Sequence, residues 1–329
     1  MKLKHTMPTS LLATLLIFGL LPVANAHEYD ALLKAKKYSE ADHAIASKLA
    51  IDPQNSDALI AKVDLILNEG KESRLDEAVK AAELCISAHP KNSECHESLG
   101  NVLGTKAQLG GVMSAISYVS KIKDSFRTAV ELDPKNFSAR GSLLQFYLQA
   151  PGFVGGSTSK AHDLIVETIK INPSAGALLQ ANFDLYEKNF ERAASATLAV
   201  NTDANPVLAR QQRKLLSNLG RTYINNNRLA DAEKIYTEMS QRFPDSAAAY
   251  FGLGKSILEQ GKAKEAIPHL EKSLSLEVAS GTYYRLGKAW QALTDKTKAL
   301  AFYEKALAAL PELAQETKTD IQKQIKALK

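Results

Sequence analysis

The stretch LSNLGRTY at residues 216–223 decides the fold, because its pattern returns twice further along the chain. The copies are YFGLGKSI at 250–257 and YYRLGKAW at 283–290, each with a large first residue followed by Leu-Gly. A marker alanine follows each copy, and these three alanines are spaced by 34 and 33 residues: Ala232, Ala266 and Ala299. Each unit then closes in turn at Pro244, Val278 and Pro311. A fixed period of this length predicts one supersecondary unit repeated along the chain.

The first half of the chain carries the same pattern in looser form. Residues 96–103, HESLGNVL, keep the Leu-Gly pair, and four earlier units close at Pro53, Pro90, Pro134 and Pro173. The residues at the marker position give about eight units, centred on Ala41, Ala78, Phe126, Ala161, Ala193, Ala232, Ala266 and Ala299. The repeat is therefore predicted to span residues 27–311.

These motifs resemble the tetratricopeptide repeat family, and in particular its exported members in the bacterial cell envelope. The resemblance implies an all-α fold, an α-solenoid of about eight helical hairpins that form a right-handed superhelix. Gly and Ala are expected where the two helices of a hairpin cross, since a larger side chain would force them apart. Residues 312–329 are predicted to form a C-terminal capping helix, with an apolar stripe at Leu313, Ile321, Ile325 and Leu328.

Three consecutive units are longer than the repeat, and their extra residues lie at about 70–76, 104–122 and 150–158. The second insertion keeps helical spacing, which predicts an elongated second helix that projects beyond the stack. The third insertion contains Pro151, Phe153 and Val154 among helix breakers, with Ser157 as the predicted cap of the next helix. These three residues either form a second binding surface with the projecting helix or cover its apolar side.

Residues 1–26 have the features of a signal peptide, with a basic start, an apolar run and small residues before a cleavage site between Ala26 and His27. The segment predicts export to the periplasm in preference to secretion, and no later stretch predicts membrane insertion of the mature chain. Its removal lowers the formal charge from +5 to +3. This small positive net charge does not indicate nucleic-acid binding, which requires Lys and Arg concentrated on one face.

Cys85 and Cys95 flank a predicted turn between two helices, and in an oxidising compartment this arrangement favours a disulfide. The alternatives are two buried thiols and a metal site with His89 and His96. The spacing of these four residues matches no zinc pattern, so no metal site is predicted.

The sequence predicts neither an enzyme nor a cofactor site. Gly252 to Ser256 ends like a phosphate-binding loop but lies within a repeat helix and lacks the required earlier Gly. Gly155-Gly156-Ser157 lacks the frame of a nucleophile elbow.

A peptide groove is the main candidate site. In the family that the chain resembles, the first helix of each unit lines the inner face. Here Arg221, Lys255 and Lys288 each directly follow the glycine of the Leu-Gly pair in their unit. The predicted groove residues are Lys214, Arg221, Asn225, Phe251, Lys255, Tyr284 and Lys288. The alternative is an ordinary solvated face. The carboxylate clamp of some family members is incomplete, because Gly252 and Gly281 stand where its Asn and Lys are required.

The sequence therefore predicts a non-enzymatic scaffold or adaptor that binds proteins or peptide segments, with acidic groups, in the groove or on the inserted edge. The alternative is an accessory protein for a small envelope ligand such as a glycan fragment, bound where the insertions meet the groove.

Overall fold

The computed structural model describes residues 29–202, 205–309 and 313–329, with the backbone alone at 111–115. Within these ranges every regular element is a helix, and two short 3-10 turns lie at Glu72–Arg74 and Gly152–Val154. The helices are α1 Asp30–Lys34, α2 Tyr38–Ile51, α3 Ser56–Glu69, α4 Leu75–Ala88, α5 Ser93–Leu109, α6 Gly111–Leu132, α7 Phe137–Gln149, α8 Thr158–Ile171, α9 Pro173–Tyr186, α10 Phe190–Ala199, α11 Pro206–Asn225, α12 Leu229–Arg242, α13 Ala247–Glu259, α14 Ala263–Leu276, α15 Ser280–Ala292, α16 Lys296–Ala308 and α17 Gln315–Leu328.

The described helices form eight consecutive hairpins, α1–α2 to α15–α16, followed by the single helix α17. We call the odd-numbered helices α1 to α15 the first helices and their even-numbered partners the second helices. Seven of the eight marker positions are alanines with no exposed surface, and the eighth, Phe126, is also buried. The predicted all-α solenoid of about eight hairpins is therefore confirmed.

The chain divides into two compact units, residues 1–90 and 91–329. The described part of the first unit contains α1 to α4, and its core includes Ala41, Ile45 and Leu65. The second unit contains α5 to α17, and one of its apolar clusters runs from α9 to α15. Each unit buries the apolar faces that a single hairpin would leave exposed.

Close helix crossings explain the small residues of the motif. A methyl group added to Gly220 would lie within 3.0 Å of the Tyr236 ring, and one added to Gly287 would lie 2.6 Å from the Tyr303 ring. Atoms this close overlap, so a larger residue would push the two helices of the hairpin apart. The physical reason inferred from the sequence holds at both hairpins.

Side-chain caps fix where the first helices begin. Five consecutive first helices, α3 to α11, start after an asparagine whose side chain accepts a hydrogen bond from a backbone N–H of the first turn: Asn55, Asn92, Asn136, Asn172 and Asn205. Each cap satisfies an N–H group that has no partner within the helix. The start of each first helix is thereby set by local sequence.

The turn inside each hairpin separates regular from inserted units. In five hairpins the turn contains one residue with a left-handed backbone: Lys36, Lys188, Asn227, Gly261 and Thr294. The second hairpin instead continues from Gly70 into a 3-10 turn, and the fourth has Gly155 near the end of a longer loop. The third hairpin connects α5 to α6 through Gly110, whose backbone has a right-handed helical conformation.

The three insertions alter hairpins two, three and four. At 104–122 the extra length is shared by both helices, since α5 has 17 residues and α6 has 22. The expectation of an elongated second helix is met, but the first helix is lengthened with it. At 150–158 the chain forms the 3-10 turn, and the Ser157 hydroxyl caps α8 by accepting from the N–H of Lys160.

The C-terminal helix α17 packs as the predicted cap. Ile321 has no exposed surface and lies in a cluster with Ala299, Tyr303 and Ala306, against which Leu313, Ile325 and Leu328 also pack. The predicted stripe therefore faces the last hairpin. The predicted signal peptide, its predicted cleavage site at Ala26 and His27, and Pro311 lie outside the described residues. In the part of the chain that the structure describes, every helix is too short or too polar to cross a membrane.

Candidate functional site

The first helices α7, α9 and α11 line a recess of about 200 Å³. Its walls include Ser138 and Gln145 on α7, Asn182 on α9, and Lys214 and Asn218 on α11. The Gln211 side chain donates to the Phe137 carbonyl over 2.6 Å, which joins α11 to the start of α7. The floor is apolar, since Leu178, Leu179 and Leu215 are buried there.

A second depression continues the recess toward the other end of the same helices. It shares Gln145, Asn182 and Asn218 with the first depression and extends to Tyr186 and Arg221. The two depressions therefore form one surface, which we call the middle groove: the recess between α7, α9 and α11 bounded by Lys214 at one end and Arg221 at the other.

The amide side chains of the middle groove are available to a ligand. Within the described ranges, the side chains of Gln145 and Asn182 have no hydrogen-bond partner in the protein. Asn218 accepts from the Arg221 guanidinium over 3.1 Å and keeps its amide N–H groups. An amide both donates and accepts, so this row can bond to the C=O and N–H groups of another chain.

Further along, α13 and α15 carry a compact cluster of charges. The Glu259 carboxylate accepts from Arg285 over 3.1 Å and lies 3.9 Å from the Lys255 ammonium group. Burial, and then the charge of Arg285, lower the pKa of Lys255, while Glu259 acts in the opposite direction. Lys255 is thus half-buried and already faces a carboxylate.

Beyond this cluster, α17 meets α15. The Tyr284 hydroxyl donates to the Asp320 carboxylate over 2.6 Å, and the Lys288 ammonium group lies 5.6 Å from the Tyr284 ring centre. Burial and this hydrogen bond raise the pKa of Tyr284 to about 12. The same hydrogen bond holds the pKa of Asp320 below its usual value, with help from Lys288 and Lys323. We call the surface of Lys255, Glu259, Tyr284, Arg285 and Lys288 the C-terminal track.

The predicted groove residues separate into two sets. Lys214 and Arg221 lie in the middle groove, and Asn225 is exposed at the last residue of α11. Lys255, Tyr284 and Lys288 lie in the C-terminal track, whereas Phe251 packs partly against the apolar core. The track is not uniformly basic, because Glu259 and Asp320 stand among its cations.

Sequence reasoning missed the amides at Gln145, Asn182 and Asn218. A usable signal exists for one of them: Asn182 stands 11 residues before the marker Ala193, as Arg221 stands 11 before Ala232. Asn182 therefore occupies the register of the predicted cations. Gln145 escapes this count because the insertion at 150–158 separates it from its marker alanine.

The predicted second surface lies at the turn between α7 and α8. Pro151 is exposed, Val154 is half-buried, and the Phe153 side chain is 85% exposed. Phe153 therefore does not cover the projecting helix, and that interpretation of it is wrong.

Both cysteines, Cys85 and Cys95, are buried, and in the structure neither is a free thiol. The nearby His89 has its Nε2 atom 2.6 Å from the Gln54 carbonyl oxygen. Over the described ranges, no three His, Cys, Asp or Glu side chains cluster closely enough to hold a metal ion.

Two curated proteins are similar to the chain. It is 25% identical over 255 residues to a peroxisomal targeting signal receptor of Candida albicans, a match that covers 74% of this chain and 39% of the receptor. It is 26% identical over 279 residues to a TPR repeat-containing protein of Methanocaldococcus jannaschii, covering 84% of this chain and 42% of that one. The chain thus spans less than half the length of either relative.

Two solved structures are also similar. A tetratricopeptide repeat protein from Parabacteroides merdae has 15% identity and a TM-score of 0.40, over 91% of this chain and 95% of that one. The pilF structure from Pseudomonas aeruginosa has 12% identity and a TM-score of 0.46, over 82% of this chain and 96% of that one.

The family comparison agrees with the motifs and the hairpins described above. Residues 217–280 and 280–311 each match the tetratricopeptide repeat family. These segments coincide with hairpins α11–α12, α13–α14 and α15–α16, in which the glycine and alanine positions are packed as the repeat requires. Residues 217–311 are thus similar to tetratricopeptide repeats in both sequence pattern and helix packing.

Proposed function

We propose that the chain is a non-enzymatic scaffold or adaptor of the bacterial periplasm that binds a segment of a partner protein in the middle groove. Tetratricopeptide repeats generally mediate interactions between proteins, and the proteins that contain them are generally not enzymes. The observation that carries the proposal is the row of amides at Gln145, Asn182 and Asn218 above an apolar floor.

The chemistry of this row suits a peptide backbone. An extended segment has N–H and C=O groups that need partners once water is displaced, and amide side chains supply both kinds. The row uses positions on three consecutive first helices, so it runs across the helices as a backbone would. The apolar floor would take side chains that point into the groove.

Along the surface, the residue at one repeat position of successive first helices changes from an amide to cations. Asn182 is followed at the equivalent positions by Arg221, Lys255 and Lys288. An extended partner would therefore meet neutral hydrogen-bonding groups first and cations beyond them. This order favours a segment with acidic groups toward the C-terminal track.

The test uses the mature chain as bait in an envelope extract, followed by affinity measurement with each captured protein after purification. We expect the double variant N182A/N218A to weaken binding about ten- to thirtyfold, at roughly 1 kcal/mol for each lost hydrogen bond. Gln241, an exposed amide on the second helix α12, provides the matched control Q241A, which should bind like the unchanged chain. Circular dichroism should show equal folding of all three.

Equal affinity of N182A/N218A and the unchanged chain for every captured protein would overturn the proposal. A thermal shift with glycan fragments that is lost in N182A/N218A, together with no specific protein capture, would instead favour the small-ligand alternative. That alternative has some support in the groove, since Ser138 and Ser142 add hydroxyl groups beside the amides.

Export is a separate part of the proposal and has its own test. N-terminal sequencing of the protein from a periplasmic fraction should give His27 as the first residue. A first residue within 1–26, or a purely cytoplasmic protein, would overturn it.

A further inference from the structure

We propose a second docking surface for a segment of another protein, apolar and acidic, at the inserted edge of hairpins three and four. Its wall is the face of α6 that carries Ile116 and Lys123, and its floor is the turn 151–155 that carries Phe153. We call this step between wall and floor the ledge. It is independent of the middle groove, and it gives a partner chemistry to the second surface that the sequence offered as one of two interpretations.

The turn packs directly on the wall. A methyl group on Gly155 would lie 3.1 Å from the Cδ atom of Lys123 and 3.8 Å from the Phe146 ring. Ile116 precedes Lys123 by seven residues, which is two helical turns, so both project from one face of α6. At ~1.5 Å per residue, Ile116 stands about 10 Å farther along the wall than the level of the turn.

The turn is held in place while its aromatic residue is exposed. The N–H of Gly156 donates to the Pro151 carbonyl over 3.1 Å, and the N–H of Ser157 donates to the Tyr147 carbonyl over 2.8 Å. Phe153 is nevertheless 85% exposed, and Ile116 is 53% exposed. Large apolar side chains held outward on a fixed turn are a feature of binding surfaces.

The two stretches of sequence that form the ledge contain no acidic residue. The chain has 36 acidic residues, but none between Ser98 and Lys123 and none between Pro134 and His162. These two stretches supply the upper wall and the floor, and Lys123 and the exposed Lys160 flank the turn. A complementary partner therefore carries apolar side chains next to carboxylates.

The shape favours a protein segment over a lipid surface. A flat surface that touches Phe153 on the floor would be held off by a wall that rises about 10 Å above it. A helix or an extended strand about 10 Å across fits into such a step and reaches both apolar side chains.

The experiment measures the affinity of the mature chain for a labelled amphipathic peptide with Leu on one side and Glu on the other, by fluorescence anisotropy. A second peptide has the same Leu pattern and Lys in place of Glu. We expect the acidic peptide to bind, and F153S and I116S each to raise its dissociation constant about tenfold or more, which is ~1.4 kcal/mol. K123E should also weaken the acidic peptide, whereas the basic peptide should bind poorly to the unchanged chain.

Two control variants define the site. Ile51 on α2 has the same 85% exposure as Phe153 but lies outside the ledge, so I51S should leave the affinity unchanged. The groove variant N182A/N218A should also bind the acidic peptide normally, which keeps this proposal separate from the proposed function.

Several outcomes would overturn the proposal. Equal affinity of F153S, I116S and the unchanged chain would do so, as would a preference for the basic peptide. Binding to anionic lipid vesicles that is lost in F153S, without peptide binding, would assign the surface to a membrane. A dimer in light scattering that F153S converts to a monomer would assign it to a second copy of the chain.

Discussion

The middle groove and the C-terminal track both lie on successive first helices, but their side chains are engaged differently. In the middle groove Gln145 and Asn182 have no hydrogen-bond partner in the described protein. In the C-terminal track Lys255 faces Glu259, and Tyr284 donates to Asp320 of the capping helix. The first helices therefore supply both an open surface and a set of contacts within the fold.

The difference follows from what each helix has beside it. The first helix α15 lies beside α17. The Tyr284 hydroxyl donates to Asp320 on α17, and the Gln291 amide donates to Gln324 on the same helix. The middle groove has first helices on both sides, and these contribute amides, leucines and the cations Arg210 and Lys214 to its lining. The cap thus completes the stack and also occupies part of the surface that the repeat would otherwise present.

The largest effect is expected from breaking the cap. I321A removes a fully buried side chain, and we expect the free energy of unfolding to fall by about 2–4 kcal/mol, as for other large-to-small changes in a core. Urea unfolding followed by circular dichroism measures this. The exposed Ile51 gives the control I51A, which should change stability by less than about 0.5 kcal/mol. A loss below about 1 kcal/mol for I321A would mean that α17 is not packed firmly against the last hairpin, and so does not keep the polar groups of the C-terminal track engaged.

A smaller effect is expected from the hydrogen bond between α15 and the cap. Y284F removes the donor to Asp320 and should lower the free energy of unfolding by about 1–2 kcal/mol near neutral pH. The exposed Tyr186 provides the control Y186F, which should be close to neutral.

The pKa shifts of Asp320 and Tyr284 determine how the stability difference between the unchanged chain and Y284F depends on pH. The pKa of Asp320 is lowered on folding, so its stabilisation is present above its ordinary value of 3.8 and is lost as the pH falls through the folded value. The pKa of Tyr284 is raised from 10.0 to about 12, so its stabilisation is present below pH 10 and is lost as the pH rises toward 12. The unchanged chain and Y284F should therefore converge in both acid and alkali, and a difference independent of pH would contradict this account.

The smallest effect is expected within the track itself. E259Q removes the carboxylate that faces Lys255 and Arg285, and a partly exposed ion pair of this kind contributes about 1 kcal/mol or less to stability. The clearer result is electrostatic: the pKa of Lys255 should fall further, because Glu259 at present opposes the lowering by burial. Titration of Lys255 by NMR measures this, with E265Q on α14 as the control. An unchanged pKa would show that the track is not a coupled cluster.

Much of the fold could be predicted because the repeat depends on local and near-neighbour packing. The marker alanines, the Leu-Gly pairs and the stripe of the capping helix each report a position where two helices touch, and that requirement is visible in residue size alone. The extent of α5 was not predicted, because its added length packs against the lengthened α6 and is not marked by the repeat motif.

The candidate site was predicted only where the repeat is regular. Lys214 and Arg221, both predicted groove residues, line the middle groove on α11, whose unit carries the Leu-Gly pair. Gln145 and Asn182 lie in hairpins without that pair. For Gln145 the insertion at 150–158 also changes the spacing to its marker alanine, so its position in the repeat could not be counted.

The sequence by itself determined the helical repeat, the number of hairpins and the positions that must be small, since these depend on contacts within 34 residues or so. Only the tertiary structure decided which groove residues are open and which are engaged, and that Phe153 is exposed. Those outcomes depend on side chains from helices far apart in sequence, such as Asp320 beside Tyr284, and no local pattern encodes which distant carboxylate or apolar surface a side chain will meet.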